Sequence, residues 1–296
     1  MLSVCIPVYN YDVSELVDNL VKQSRKCSKA IEIVVVDDAS KTEYININNR
    51  IEKHNNVTFI KLAKNIGRSS IRNLLASKVK YNYILFLDCD SNLKPDFLET
   101  YLKAIDNNTQ VICGGTLHPK ECPAPSRTLR WKSGKFREDH SVDTRRKSQY
   151  KSFTSNNFIV QKNVLNKVSF NEKIRKYGHE DTLFGIELEQ KKIKIEHIDN
   201  PAVHIGIDLS EDYIKKTEHA IENLVQLLKE SEYRMALSKR ITLLKYFNWI
   251  SKTRMNVFVK FIFKLFRPLI IKNLLSTKPN LKLFDFYKIG YLVSVY

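Results

Sequence analysis

Two carboxylates separated by one residue are the strongest chemical signal in this chain of 296 residues. Asp88 and Asp90 flank Cys89 and directly follow Tyr83–Leu87, an apolar run with the pattern of a buried strand. Where the backbone turns at a strand end, two such carboxylates can face one small volume. Hard divalent cations such as Mg²⁺ and Mn²⁺ prefer these oxygen ligands. Taken alone, the motif is also compatible with a solvated turn.

Polar residues follow the neighbouring apolar runs as well. Asp38 comes just after Ile31–Val36, in a segment whose Asp and Ser residues also suit a helix N-cap. Asn65 and Gly67 follow the next run, and glycine allows a tight turn before a helix whose N-terminus can face phosphate. Arg72 falls on that helix, where a plain surface charge is the alternative interpretation.

Short apolar strands and amphipathic helices alternate over the first hundred residues. The predicted strands are Leu2–Val8, Ile31–Val36, Val57–Leu62 and Tyr83–Leu87, and the predicted helices cover about 13–25, 41–54 and 67–79. This alternation predicts βαβ units and a mostly parallel sheet. Ligands of such sheets bind beyond the carboxyl ends of the strands, which is where the polar clusters fall.

Further elements follow with less regular spacing. Helices are predicted at about 95–108, 179–191 and 210–232, and strands near 111, 153–161, 194–198 and 202–205. The segment 114–152 contains three prolines and many basic residues, and it is predicted to be a long loop. Loops of this length are usually functional lids or disordered segments, and we favour a lid.

The positive charge is concentrated at the C-terminal end. The net charge is +17, and the residues from Arg234 to Tyr296 contain thirteen Lys and Arg against one acid, Asp285. A basic end of this kind indicates a docking device. The five cysteines include no CxxC pair, which argues against a zinc site and a disulfide framework and favours a reducing compartment. With no secretory signal pattern and no apolar run of about 20 residues, we expect a cytoplasmic protein.

Several motifs, in this order, resemble those of the family 2 glycosyltransferases. The likeness extends from residue 1 to about 205 and is carried by SVCIPVYN at 3–10, VVVDDAS at 34–40, Asn65-Ile66-Gly67 with Arg72-Asn73, ILFLDCD at 84–90, and Gly178-His179-Glu180-Asp181. The resemblance implies the GT-A fold, an α/β fold in which helices flank a Rossmann-like, mostly parallel sheet. We assign residues 1–232 to this catalytic domain and 233–296 to a basic, amphipathic helical extension.

The resemblance also implies which residues bind the donor and the metal. Asp38 is expected to accept a hydrogen bond from the base edge, and Asp88 to approach the ribose or the metal. Asp90 is expected to bind Mn²⁺ or Mg²⁺, with Asp88 and His204 completing its shell, although a lone histidine on a short strand is equally compatible with a structural role. The implied nucleotide-sugar-binding residues are Pro7, Tyr9, Asn10, Asp38, Asn65, Gly67, Arg72, Asp88, Cys89, Asn156 and Asn157.

Asp181 is the predicted catalytic base, and Glu180 is expected to orient the acceptor or its loop. A carboxylate in reach of the acceptor hydroxyl can take its proton as the new glycosidic bond forms. One such base is enough for a direct displacement, which inverts the anomeric centre. The alternative interpretation is that the two acids simply favour the first turn of a helix.

The extension has a composition typical of helices that lie in a membrane interface. Ile241–Ile271 interleaves large apolar residues, including Phe247, Trp249, Phe258 and Phe261, with Lys and Arg every few positions. We therefore expect peripheral association with the inner face of the cell membrane, through anionic lipids. A helix packed on the catalytic domain with a solvated basic face is the alternative.

The sequence as a whole predicts an inverting glycosyltransferase, of the hexosyltransferase class, acting in surface polysaccharide or glycolipid biosynthesis. A nucleotide-sugar donor and a glycan or lipid-linked acceptor are the expected partners; UDP is favoured by resemblance, with GDP and dTDP left open. A dehalogenase-like phosphatase would need Thr or Val where Asn92 stands. The remaining alternative is a nucleic-acid- or membrane-binding protein on an inactive transferase-like domain. No nucleic acid is expected, since no known nucleic-acid-binding motif occurs.

Overall fold

The protein is described by a computed structural model that covers residues 1–174, 178–229 and 231–296. These residues form two compact units. The first unit contains Met1–His118, 139–174 and Glu180–Gly206, and the second contains Pro119–Glu138, 178–179 and Ile207–Tyr296.

The strands all fall in the first unit. In chain order they are β1 Leu2–Val8, β2 Ile31–Asp37, β3 Val57–Lys61, β4 Tyr83–Leu87, β5 Ser91–Asn92, β6 Val111–Cys113, β7 Thr116–Leu117, β8 Asn157–Gln161, β9 Ile195–His197 and β10 Ala202–His204. Among the described residues, the larger sheet has seven strands in the order β3-β2-β1-β4-β8-β6-β9. β1 pairs in parallel with β2 and β4, β2 with β3, and β6 with β9, whereas β8 is antiparallel to β4 and β6. The predicted mostly parallel α/β sheet is confirmed.

Helices cover both faces of this sheet. In chain order the helices are α1 Ser14–Ser24, α2 Thr42–Asn48, α3 Arg68–Lys78, α4 Phe97–Ala104, α5 Thr128–Arg137, α6 Val142–Arg146, α7 Lys162–Leu165, α8 Glu180–Gln190, α9 Ser210–Lys229, α10 Ser231–Arg240, α11 Thr242–Lys252, α12 Asn256–Leu274 and α13 Leu281–Val295. Side chains alternate across a strand, so β1 sends Val4 and Ile6 into one core, with α1 and α4. It sends Cys5 into a second core, with α3 and α8. A strand buried on both faces must be apolar throughout, which explains the continuous run that marks β1 in the sequence.

The predicted long loop at 114–152 is wrong, because it contains the helices α5 and α6. Arg145 of α6 is buried and donates hydrogen bonds to the carbonyls of Cys113, Gly114 and Ile198, at 3.2, 3.0 and 2.8 Å. Buried carbonyl groups need such donors, and one guanidinium supplies several. The basic residues of this segment, which the sequence predicts to be part of a lid, therefore include an arginine that stabilises the fold. The predicted strand 153–161 also begins later, at Asn157.

The second unit is helical. It includes Pro119–Glu138 and begins again at Ile207, so it does not coincide with the predicted extension 233–296. Its core is formed by α5, α9, α12 and α13, through residues such as Leu129, Ile214, Phe263 and Tyr287. The predicted helix 210–232 corresponds to α9 and the start of α10; residue 230 lies outside the described residues. The predicted amphipathic segment 241–271 comprises α11 and most of α12. The assignment of catalysis to 1–232 and membrane association to 233–296 stays a prediction.

One side of α12 is buried, and another side is exposed and apolar. Phe263, Ile270 and Leu274 are buried in the second unit. Val257, Phe258, Phe261, Leu265 and Leu269 are exposed, with Val257 at 80% of its surface. No helix in the described part of the chain has both the length and the low charge that crossing a bilayer requires. The exposed side of α12 thus lacks an apolar partner among the described residues of this unit.

Candidate functional site

The carboxylate of Asp38 holds the loop that leads into α3. It accepts hydrogen bonds from the backbone amides of Ile66 and Gly67, at 2.7 and 3.0 Å, and Asn65 donates to the Asp38 carbonyl at 3.1 Å. Gly67 has a φ of 85°, a left-handed conformation that glycine adopts without strain. Burial raises the pKa of Asp38, against the effect of the two amides. Asp38 therefore fixes where α3 begins, and its contact with a base edge stays a prediction.

The chain leaving β1 is tied to the chain leaving β2. The Asn10 amide donates to the Ser40 hydroxyl at 2.7 Å, and its side-chain oxygen accepts from the amide of Lys41 at 2.9 Å. Pro7 is partly buried within β1, whereas Tyr9 is 55% exposed just beyond it. Asn10 therefore holds the two strand ends together through its backbone amide and its side chain. The exposed ring of Tyr9 is accessible to a ligand.

Two arginines one helical turn apart bind carboxylates from two other elements. Arg72 donates from Nη2 to Asp88 Oδ1 at 2.7 Å, and it is 1% exposed. Arg68 donates from Nε to Glu180 Oε1 at 2.7 Å, and its Nη2 lies 3.5 Å from Asp88 Oδ2. Residues four apart on a helix share a face, so α3 presents both guanidinium groups together. The network joins α3 to the end of β4 and to the start of α8.

This network changes the expectation for Asp88. Both of its oxygens lie close to arginines of α3, and its role as a metal ligand stays a prediction. Arg68 has no predicted role in the sequence motifs, although its position four residues before Arg72 indicates a shared face. Among the described residues, no group of three or more His, Cys, Asp or Glu side chains forms a metal-binding cluster. The predicted set Asp88, Asp90 and His204 is therefore assembled in part.

Asp90 and His204 are brought together by a small second sheet. Its described strands are ordered β5-β10-β7, and His204 is paired with Ser91, the residue after Asp90. The His204 Nδ1 lies 3.1 Å from Asp90 Oδ1. Burial raises the pKa of Asp90, but His204, Arg68 and a backbone hydrogen bond together outweigh burial and hold that pKa below its usual range. Asp90 Oδ1 is buried and has no hydrogen bond of good geometry to any described residue, and a Cβ at Gly206 would collide with the carboxylate. A carboxylate oxygen beside an imidazole nitrogen fits two ligands of Mn²⁺ or Mg²⁺.

Asp181 and Glu180 open α8 and have opposite pKa shifts. Burial, and secondly the charge of Glu180, raise the pKa of Asp181 to about 6. Glu180 is also buried, but Arg68 and Arg72 outweigh that burial and hold its pKa below the usual range. Thr182 donates its amide to Asp181 Oδ1 at 2.7 Å, which fixes the carboxylate in the first turn. Adjacent carboxylates with separated pKa values are typical of acid–base sites.

Asn157 does not reach the site, which corrects its predicted role. It is 0% exposed, and its side-chain amide donates to the carbonyls of Gly115 and Asn200, at 2.8 and 2.9 Å. Its oxygen accepts from the Tyr101 hydroxyl at 2.6 Å. With donors and acceptor all engaged, this side chain supports the backbone at the end of β8.

Asn156 and Cys89 are placed differently from each other. The Asn156 side-chain amide donates to the Thr116 hydroxyl at 2.6 Å, and its oxygen is buried with no hydrogen-bond partner among the described residues. The Cys89 side chain packs against the core beneath β1, where burial raises the pKa of its thiol well above the usual value. A nucleotide contact from Cys89 would therefore come from its backbone.

A known sequence family matches more than half of the chain. Residues 3–175 match the family described as Glycosyl transferase family 2, and the chain belongs to this family. An uncharacterized glycosyltransferase of Haemophilus influenzae is 32% identical over 126 residues, which cover 41% of this chain and 40% of that protein. The match thus spans less than half of that relative's length.

Solved structures show the same fold at lower identity. The structure of S. aureus TarS 1-349 in complex with UDP-GlcNAc aligns with a TM-score of 0.52 and 19% identity, covering 98% of this chain and 90% of that one. Mannosyltransferase PcManGT from Pyrobaculum calidifontis, in complex with GDP-Man and Mn²⁺, aligns with a TM-score of 0.55 and 15% identity, covering 77% of this chain and 64% of that one. At these identities the similarity establishes the GT-A fold.

Removing the buried arginine should cost more stability than removing an exposed one. Arg72→Met leaves Asp88 partly buried beside the more distant Arg68, and we expect the free energy of unfolding to fall by about 3 kcal/mol. Adding Asp88→Asn should recover part of this loss, because no uncompensated carboxylate then remains. Urea unfolding followed by circular dichroism measures both changes.

Arg50→Met is the matched control, because Arg50 pairs with Asp12 at 3.5 Å on the surface. Exposed pairs contribute about 1 kcal/mol or less. Equal losses in Arg72→Met and Arg50→Met would contradict the proposed importance of the buried pair.

Proposed function

We propose that this family 2 glycosyltransferase transfers a sugar from a UDP-sugar to a hydroxyl group of a glycan or lipid-linked glycan. The transfer inverts the anomeric centre, and the product belongs to a surface polysaccharide or glycolipid. The observation that carries the proposal is the arrangement of Asp181, with a pKa raised to about 6, beside the network of Glu180, Arg68 and Arg72.

The donor would lie along the strand ends of the first unit. Tyr9 is exposed there and can stack on the base, and the loop held by Asp38 can line the ribose. Asp88 would contact the ribose and not the metal, because its oxygens are turned toward the arginines of α3. UDP is favoured because TarS, whose complex contains UDP-GlcNAc, aligns over 98% of this chain.

Asp90 and His204 are the residues that would hold Mn²⁺ or Mg²⁺. The complex of the mannosyltransferase with GDP-Man and Mn²⁺ supports such a metal in this fold. When bound, the metal supplies positive charge beside the departing diphosphate. The remaining ligands would come from the diphosphate and water, because two side chains do not fill a coordination shell.

Asp181 acts as the base in this mechanism. Its carboxylate accepts the proton of the acceptor hydroxyl while the acceptor oxygen bonds to the anomeric carbon. The bond from that carbon to the diphosphate oxygen breaks in the same displacement, and UDP leaves with the electron pair. Arg68, held by Glu180, lies where it can stabilise the charge that accumulates on the leaving group.

The pH dependence of donor hydrolysis tests this role with water as the acceptor. The rate of UDP release from UDP-sugars with Mn²⁺ should fall about tenfold per pH unit below a pH of about 6, because protonated Asp181 cannot act as a base. Glu180→Gln removes the neighbouring negative charge, so the pKa of Asp181 falls and this limb moves to lower pH. Asp181→Asn should reduce the rate about 100-fold or more.

Glu189→Gln is the control for the pH profile, since Glu189 lies on α8 about 13 Å from Glu180 along the helix axis. Its profile should match the wild-type profile. An unshifted limb in Glu180→Gln would contradict the assignment of Asp181. UDP release in no variant, wild type included, would favour an inactive transferase-like domain.

We further propose that the exposed side of α12 docks on an anionic lipid surface, where a lipid-linked acceptor would be found. The apolar residues on this side alternate with Lys260 and Lys264, and thirteen cations against one acid surround them in sequence. Aromatic and aliphatic side chains beside lysines suit the membrane interface, where lysine also attracts anionic headgroups. The absence of an apolar partner for this side within the described second unit supports the proposal.

Vesicle binding tests the docking surface. The protein should co-sediment with phosphatidylcholine vesicles that contain phosphatidylglycerol, and much less with pure phosphatidylcholine. Phe258→Ser with Phe261→Ser should weaken this binding at least about 10-fold, because each ring contributes apolar burial.

Ile47→Ser serves as the control, since Ile47 is an exposed apolar residue of α2. This variant should bind like the wild type. If the double variant bound vesicles as well as the wild type, this surface would be excluded as the docking site. If binding did not depend on phosphatidylglycerol, electrostatic attraction to the lipid would be excluded.

A further inference from the structure

A second histidine lies directly behind His204. The rings of His118 and His204 are 5.5 Å apart between centroids and nearly perpendicular, at 74°. The side chain of His118 is fully buried. Neither His118 nor its partner Asp139 belongs to any of the sequence motifs that predict the site. Their position next to a proposed metal ligand nevertheless allows them to influence the orientation of that ligand.

The small sheet explains why the two rings meet. β7 and β10 run in parallel with Val203 opposite Leu117, so the next residues along, His204 and His118, are neighbours. Residues at corresponding positions of adjacent strands point to the same side of a sheet. On its other side, β10 pairs with β5, which carries Ser91 next to Asp90. The central strand therefore places His204 between Asp90 and His118.

Asp139 fixes the orientation of the His118 ring. One of its oxygens lies 2.6 Å from His118 Nδ1, and the other accepts the His118 backbone amide at 3.2 Å. A carboxylate can only accept, so Nδ1 carries a proton, and the ring is held at both its backbone and its side chain. A ring held in this way limits the rotation of the His204 ring that packs against it.

We infer that His118 and Asp139 form a positioning pair for His204, which keeps its imidazole directed at Asp90 and so raises the affinity of the site for Mn²⁺. The inference rests on the proposed function in that it takes Asp90 and His204 as metal ligands. Groups that orient a metal ligand commonly change metal affinity by about 10–100-fold when they are removed. His118 contacts His204, the proposed metal ligand, and would not contact the metal itself. We therefore expect the loss of His118 to change the affinity for Mn²⁺.

Mn²⁺ binding in the presence of UDP tests this pair, followed by the electron paramagnetic resonance signal of free Mn²⁺. His118→Ala should weaken Mn²⁺ binding about 10-fold. Asp139→Ala should also weaken it, and Asp139→Asn, which keeps one acceptor oxygen, should weaken it less. UDP release at saturating Mn²⁺ should stay near the wild-type rate in His118→Ala, because the loss is one of affinity.

His54→Ala is the matched control, since His54 forms a similar pair with Asp18 at 2.6 Å on a different part of the first unit. If His118 had a purely structural role, His118→Ala would have a lower melting temperature, and its folded fraction would bind Mn²⁺ as tightly as His54→Ala does. That outcome would overturn the inference. If wild-type protein with UDP bound no Mn²⁺, the proposed metal site itself would be wrong; wild-type affinity in His118→Ala would refute the positioning pair alone.

Discussion

The buried ion pair between Arg72 and Asp88 is the contact on which the rest of the site depends. A carboxylate stabilises the guanidinium of Arg72, which is 1% exposed, and Asp88 is placed there by the end of β4. The helix that carries Arg72 begins where Asp38 binds the amides of Ile66 and Gly67. One carboxylate thus sets the start of α3, and the helix then delivers two cations to the strand ends.

The carboxylates around these cations are given different tasks by their neighbours. Asp88 and Glu180 are neutralised by arginines, Asp90 is turned toward an imidazole, and Asp181 is left with a raised pKa. Several carboxylates cannot all ionise close together without compensating charge. The arginines on α3 therefore allow the proposed base and the proposed metal-binding pair to coexist at one edge of the sheet.

Much of this arrangement could be predicted from the sequence, because strands buried on both faces leave continuous apolar runs. β1, β2 and β4 start and end within about one residue of their predicted limits, and the DxD motif follows β4 as expected. The contacts of Arg68, His118 and Asp139 depend on tertiary pairing, which no local pattern encodes. The resemblance implies a ligand contact for Asn157, and the basic segment 114–152 is interpreted as a lid. The buried hydrogen bonds of Asn157 and Arg145 to backbone carbonyls appear only once the chain has folded.

We propose that Asp90, and not the arginine-bound Asp88, links the metal to the donor. Calorimetric titration of UDP into wild-type protein and Asp90→Ala, with and without Mn²⁺, tests it most directly. We expect Mn²⁺ to strengthen UDP binding in the wild type, and we expect Asp90→Ala to abolish this gain while remaining folded. UDP binding that is indifferent to Mn²⁺, or a gain that survives in Asp90→Ala, would contradict it.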